Sequence, residues 1–148
     1  MDGEHLLHRL GRTIGIELRF GDSNTCSVIF DRDEVVFERD GRRIFLMAAL
    51  GPVAGRDGLC RRLLEANYLG AQTGLACIGI DAGREEFVLH RVVAGNMAYP
   101  EFEEAVTLFV KAVRHIKQCL LAPEAAHPGG HEEGQCEHIA FQMGALRI

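Results

Sequence analysis

The sequence has little with which to run a reaction. Only two serines occur, Ser23 and Ser27, and neither stands in a nucleophile elbow. There is no glycine-rich phosphate loop with a following lysine and no dinucleotide-binding fingerprint, so nucleotide chemistry lacks its usual cradle. The carboxylates Glu85–Glu86 and Glu103–Glu104 are adjacent in sequence. Adjacent side chains point apart on a strand or a helix, so these pairs read as solvated faces and not as acid/base couples. No basic run longer than Arg42–Arg43 or Arg61–Arg62 appears, and the formal net charge is -5. That balance excludes the electrostatic footprint of a nucleic-acid binder. The acidic start, Met1 to His5, lacks the basic and apolar regions of a signal peptide. No stretch approaches the roughly 20 apolar residues of a membrane-spanning helix. The expected location is therefore the cytoplasm, with no membrane partner. Five cysteines, an odd and scattered set (Cys26, Cys60, Cys77, Cys119, Cys136), suit reduced thiols and not a disulfide framework.

What is present is material for one core. Of 148 residues, 47% are apolar and 25% charged, the balance of a single globular domain. Leu6, Leu7, Leu10 and Ile14 fall on one helical stripe. The period then changes to two. Ile16, Leu18 and Phe20 alternate with charged residues and predict a first strand. Thr25–Phe30, Glu34–Arg39 and Arg43–Leu50 predict three more, with Asp40–Gly41 as a hairpin signal. The last is apolar on both faces (Ile44, Leu46, Ala48 against Phe45, Met47, Ala49), which calls for cover on both sides. A short helix over 57–68 follows, with Leu59, Leu63 and Leu64 as its stripe. A hairpin of 75–81 and 86–93 leads to a long helix from about 101, carrying Phe102, Ala105, Val106, Phe109, Val110, Val113, Ile116 and Leu120. The order α-β-β-β-β-α-β-β-α, with runs of adjacent strands, predicts an α+β protomer built on a twisted antiparallel sheet.

The chain divides into a folded part, residues 1–121, and a Gly/Pro/Glu/His-rich extension, 122–148. The extension carries a net -3 of the total and reads as flexible. Ile139–Leu146 within it is apolar enough to dock as a short strand or turn. Two constellations invite a chemical reading. Cys77 and His90 face each other if 75–93 is a hairpin, but a small core thiol beside a surface histidine explains them as well. His127, His131, Cys136 and His138 are metal-capable, yet their spacing matches no closed zinc motif. No catalytic residue, cofactor or metal is therefore expected. The notable feature is surplus apolar surface, more than three helices cover, which points to a second copy of the chain.

The residues Leu63-Leu64-Glu65-Ala66-Asn67-Tyr68-Leu69-Gly70-Ala71-Gln72-Thr73-Gly74, leading into Leu75–Asp81, resemble the central signature of the class I type III secretion chaperones, the Tir-chaperone (CesT) family. Phe20–Asp31 resembles that family's first hairpin, and the order of elements agrees from Leu6 to about Leu121. The resemblance implies a homodimer paired through the second helix and the strand after it: Leu59, Leu63, Leu64, Leu75, Ile78 and Ile80. It implies a client, the N-terminal segment of a secreted effector, held in extended form by the first helix and the first sheet. Candidate lining residues are Leu7, Leu10, Ile14, Leu18, Phe20, Val28 and Phe37, each equally explicable as core. It implies delivery of a soluble client to the export ATPase without nucleotide use by the chaperone. A regulatory or structural dimer of the same fold without a secreted client is the alternative.

Overall fold

The computed structural model describes residues 3–56 and 58–122. The boundary drawn at 121/122 and the metal-capable tail residues lie at or beyond the edge of that range. Helix α1 (Gly3–Ile14) buries Leu6, Leu7 and Leu10, as its stripe requires. It ends at Gly15, whose φ of 79° closes the helix while the Ile16 amide donates to the Gly11 carbonyl at 2.9 Å.

The strand expected over 16–20 does not form. Among the described residues this segment pairs with no strand, and it packs against α1. Leu18 alone is buried, Ile16 is 48% exposed and Phe20 is half-buried. Gly11 explains the packing: a Cβ there would sit 2.6 Å from the Ile16 carbonyl oxygen and 2.9 Å from the Leu18 nitrogen. The alternation of Ile16, Leu18 and Phe20 is real, but among the described residues no strand pairs with it. The order among the described residues is α-β-β-β-α-β-β-α, one strand fewer than expected there.

Strands β1 (Thr25–Phe30), β2 (Asp33–Asp40), β3 (Arg43–Pro52), β4 (Cys77–Asp81) and β5 (Glu86–Ala94) form one antiparallel sheet in the order β1-β2-β3-β5-β4. The hairpin at Asp40 is present, with Gly41 at φ 57° and Arg43 held to Asp40 at 2.7 Å. The long β3–β5 pairing shifts register between Ala49 and Gly51. Helix α2 (Leu59–Asn67) carries the chain to the far edge, and α3 (Tyr99–His115) returns across the sheet. Pro100 stands in the first turn of α3, where its missing amide costs nothing.

All three helices pack on one face. Phe37, Ile44, Leu46, Ala48 and Leu89 of the sheet meet Leu7 and Leu10 of α1, Leu63 of α2, and Phe102, Val106, Phe109 and Val113 of α3. Phe37 and Phe102 stack with ring centroids 6.4 Å apart. Each such side chain contributes about 2 kcal/mol by leaving water. The last turn of α3 continues as a π-helical turn, Ile116–Leu120. The opposite face of the sheet has no cover among the described residues. The two-sided apolar pattern of β3 thus has one side buried and the other open.

Candidate functional site

Among the described residues, packing leaves three surfaces unfinished. The first is the open sheet face. Alternation places Val36 of β2, Phe45 and Met47 of β3, and Val88, His90 and Val92 of β5 on it. Val36, Phe45, Met47 and Val88 are half-buried by one another, and Val92 is exposed.

The second is the outer edge of β1. In the β1–β2 hairpin, Phe30, Val28 and Cys26 lie opposite Asp33, Val35 and Phe37, and the Arg39 amide donates to the Asn24 carbonyl at 2.8 Å. Antiparallel pairing alternates, so the backbone groups of Ser27 and Ile29 point outward, away from β2. The Thr25 carbonyl is closed off by the Gly21 amide at 3.0 Å. Among the described residues no backbone group pairs with Ser27 or Ile29 on this edge; the Ser27 carbonyl has only a 4.0 Å contact from the Cys26 thiol. Burial pushes that thiol's pKa up; the Arg19 backbone N–H partly offsets this and Glu4 adds to it. Ile29 is 69% exposed on the same strand.

The third lies around α2 and β4. Cys60, Leu63, Leu64, Asn67, Ile78, Gly79, Ile80 and Phe87 line an apolar cavity of about 300 Å³. Of its lining, Leu64 and Ile80 are exposed, and Tyr68, Leu69 and Leu75, between α2 and β4, are exposed as well. Exposed apolar patches of this kind are where proteins commonly meet a partner.

The signature stretch from Leu63 to Asp81 works as a joint. The Asn67 side chain holds both backbone groups of Ile78, accepting from its amide at 2.7 Å and donating to its carbonyl at 2.9 Å. Leu69, Gly70, Gly74 and Leu75 all take positive φ, which folds the chain sharply between α2 and β4. Thr73 is fully buried and its hydroxyl donates to the Ala76 carbonyl at 2.6 Å. The Gly74 carbonyl accepts from Arg91 at 3.1 Å; burial depresses the pKa of that guanidinium while Glu104 counteracts it.

The expected site residues divide accordingly. Of the client-binding set, Leu7, Leu10, Leu18, Val28 and Phe37 are core side chains, closed to any ligand in this conformation. They hold α1 and β1 in place. Ile14 and Phe20 are half-buried at the margin of the core, with Arg39 over the Phe20 ring at 5.1 Å. In the dimer set, Leu63 is core, Leu59 and Ile78 are half-buried, and Leu64, Leu75 and Ile80 are exposed. Leu75 precedes β4, which begins at Cys77. Val36, Phe45, Met47, Val88 and Val92 were missed as surface; the signal was there in the two-sided pattern of β3. Asn67 and Thr73 were missed as structural hydrogen-bonding groups.

Cys77 and His90 are register partners, as the hairpin required, and both are exposed. No hydrogen bond joins them, and among the described residues none orients the imidazole as a catalytic base needs. Among the described residues no three His, Cys, Asp or Glu side chains converge as a metal site, and no helix is long and apolar enough to cross a membrane.

The model of the Tir chaperone protein (CesT) family matches residues 5–117. No curated protein matches by sequence. The fold is similar to those in the HopA1–SchA chaperone–effector complex (TM-score 0.65, 18% identity, 77% of this chain and 91% of that one) and the ExsC–ExsE complex (0.67, 18%, 79% and 92%). It is also similar to the heterodimeric ExoU–SpcU complex from the type III secretion system of Pseudomonas aeruginosa (0.61, 19%, 79% and 96%). At these identities the likeness is one of fold.

Proposed function

The chain belongs to the Tir chaperone protein (CesT) family, and we propose that it is a cytoplasmic type III secretion chaperone that binds the N-terminal segment of a secreted effector. The carrying observation is a sheet that the described residues leave open on one face and along the outer edge of β1, with apolar side chains on the first and backbone groups without a described partner on the second. Such a surface suits an extended segment: the edge offers main-chain hydrogen bonds and the pleat offers side-chain sites. A disordered client must offset its ordering entropy through many contacts, and a long open face supplies them. Structures with this fold include complexes described as chaperone with effector, which supports the same reading.

The protomer pairs with a second copy through the patch around α2 and β4. Leu64 and Ile80 are exposed and line one apolar cavity, and a two-fold axis brings such a patch onto itself. The described surface offers no activated nucleophile, and the role proposed is binding, not catalysis.

The test is calorimetry with the N-terminal segment of an effector encoded beside this gene. Saturable binding with a negative heat-capacity change is expected. A dimer that binds no segment of any neighbouring effector refutes the proposal.

A further inference from the structure

Three soft donors stand in one row across the open face of the sheet. Met47 of β3 lies opposite His90 of β5, and His90 lies opposite Cys77 of β4. Each comes from a different strand, with β5 in the middle. Side chains directly opposite in an antiparallel pair share a face, with Cβ atoms about 5 Å apart. Backbone pairing thus sets a thioether, an imidazole and a thiol side by side. Cys77 and His90 are exposed and Met47 is half-buried, so solvent reaches the row.

The surroundings leave these donors free. A Cβ on Gly79 would sit 3.9 Å from both Cδ2 and Nε2 of His90. The imidazole therefore leans over β4, the strand of Cys77, at a position that carries no side chain. The Met47 side chain is unbranched and can swing its sulfur toward the middle strand. Among the described residues neither the Cys77 thiol nor the His90 imidazole has a hydrogen-bond or ion-pair partner. The carboxylate on this face of β4, Asp81, lies beyond Gly79 and accepts the Gly83 and Arg84 amides at 2.9 and 3.2 Å. Val36, Val88 and Val92 border the row with apolar side chains.

We propose that Met47, His90 and Cys77 form a binding site for a soft monovalent cation, Cu(I). The donor set selects the ion. Thiolate and thioether sulfur favour Cu(I), whereas calcium, magnesium and manganese call for oxygen ligands that the row does not supply. Structural zinc takes four Cys, His or carboxylate ligands in a tetrahedron, and the row offers two of that kind with a thioether. On binding, the Cys77 thiol releases its proton, and the thiolate and the cation neutralise each other. A neutral complex suits a face bordered by valines. Nothing in the sequence joins these three residues, which meet only through strand register. The inference goes beyond the chaperone reading and does not depend on any client.

The test is anaerobic titration of the reduced, full-length protein with Cu(I) in competition with bicinchoninate. The parent should hold one equivalent per protomer at least roughly tenfold more tightly than Cys77→Ser, His90→Ala or Met47→Leu. All three variants should keep the parent's circular dichroism, because two positions are exposed and Met47→Leu preserves volume. Cys136→Ser removes a thiol elsewhere in the chain and should leave the tight equivalent in place. X-ray absorption at the copper edge should then show both sulfur and imidazole nitrogen bound to the metal. Parent-like affinity in any of the three variants, loss of the tight equivalent in Cys136→Ser, or a copper bound by sulfur alone would each overturn the proposal.

Discussion

The side-chain amide of Asn67 holds the Ile78 backbone on both sides, at 2.7 Å to its N–H and 2.9 Å to its carbonyl, in place of a neighbouring strand. One side chain at the end of α2 thereby fixes the start of β4 and closes part of that sheet edge. Asn67→Leu should leave both groups unpaired in a half-buried setting, at a cost of about 2 kcal/mol. Urea unfolding is the measurement; an unchanged midpoint would show that water replaces the amide without loss.

The dimer reading turns on neighbours in sequence that do opposite things. Leu63 is 3% exposed and Leu64 is 69% exposed. Leu64→Asp should yield a folded monomer, with native circular dichroism and half the mass in sedimentation equilibrium. Leu63→Asp should unfold the protomer, because a carboxylate cannot be carried into that core. A Leu64→Asp protein that remains fully dimeric would move the interface elsewhere.

These two leucines also show where the sequence stops informing. The stripes of α1 and α3 and both hairpins were legible, because each element buries a single face and its period records that face. A period cannot report whether a partner exists. Ile16, Leu18 and Phe20 satisfied the strand pattern, yet the segment packs against Gly11 of α1 and pairs with no strand among the described residues. Nor can an apolar stripe distinguish inward from outward contacts. Leu7, Leu10, Leu18, Val28 and Phe37 were candidates for a groove and are core, while Phe45 and Met47, whose two-sided strand called for cover on both sides, face outward.

Gly11 offers a sharp check on that first correction. A methyl group there would meet the Ile16 carbonyl at 2.6 Å, and backbone cannot yield as a side-chain tip does. Gly11→Ala gains helix propensity worth about 1 kcal/mol, yet should lower the melting temperature through the clash. A rise would mean that the 16–20 segment is free to move away from α1.

Asp33 joins the turn above β1 to the end of α3 through Lys117 at 2.9 Å, with Arg114 3.9 Å away. It is one of two buried polar or charged residues among those described. Asp33→Asn keeps the shape and removes the charge, and should cost roughly 1–2 kcal/mol, since a nearly buried carboxylate is exchanged for a weaker acceptor. The parent's stability should fall with added salt more than the variant's. Equal salt slopes would show that the pair is screened already.

The binding surface itself is tested where the described protomer leaves it uncovered. Met47 and Val92 lie on the open sheet face, and neither is needed by the core. Met47→Glu and Val92→Glu should leave the melting temperature within about 1 kcal/mol equivalent of the parent, as surface substitutions do. Each should weaken the effector segment by roughly tenfold or more if that segment covers the face, because a carboxylate would have to be desolvated against an apolar partner. Leu10→Glu is the informative contrast. Leu10 is 2% exposed, so that variant should lose binding by losing the fold, with circular dichroism collapsing alongside calorimetry. Should Met47→Glu and Val92→Glu both bind like the parent while Ile29→Glu does not, the client follows the β1 edge alone and the open face serves something else.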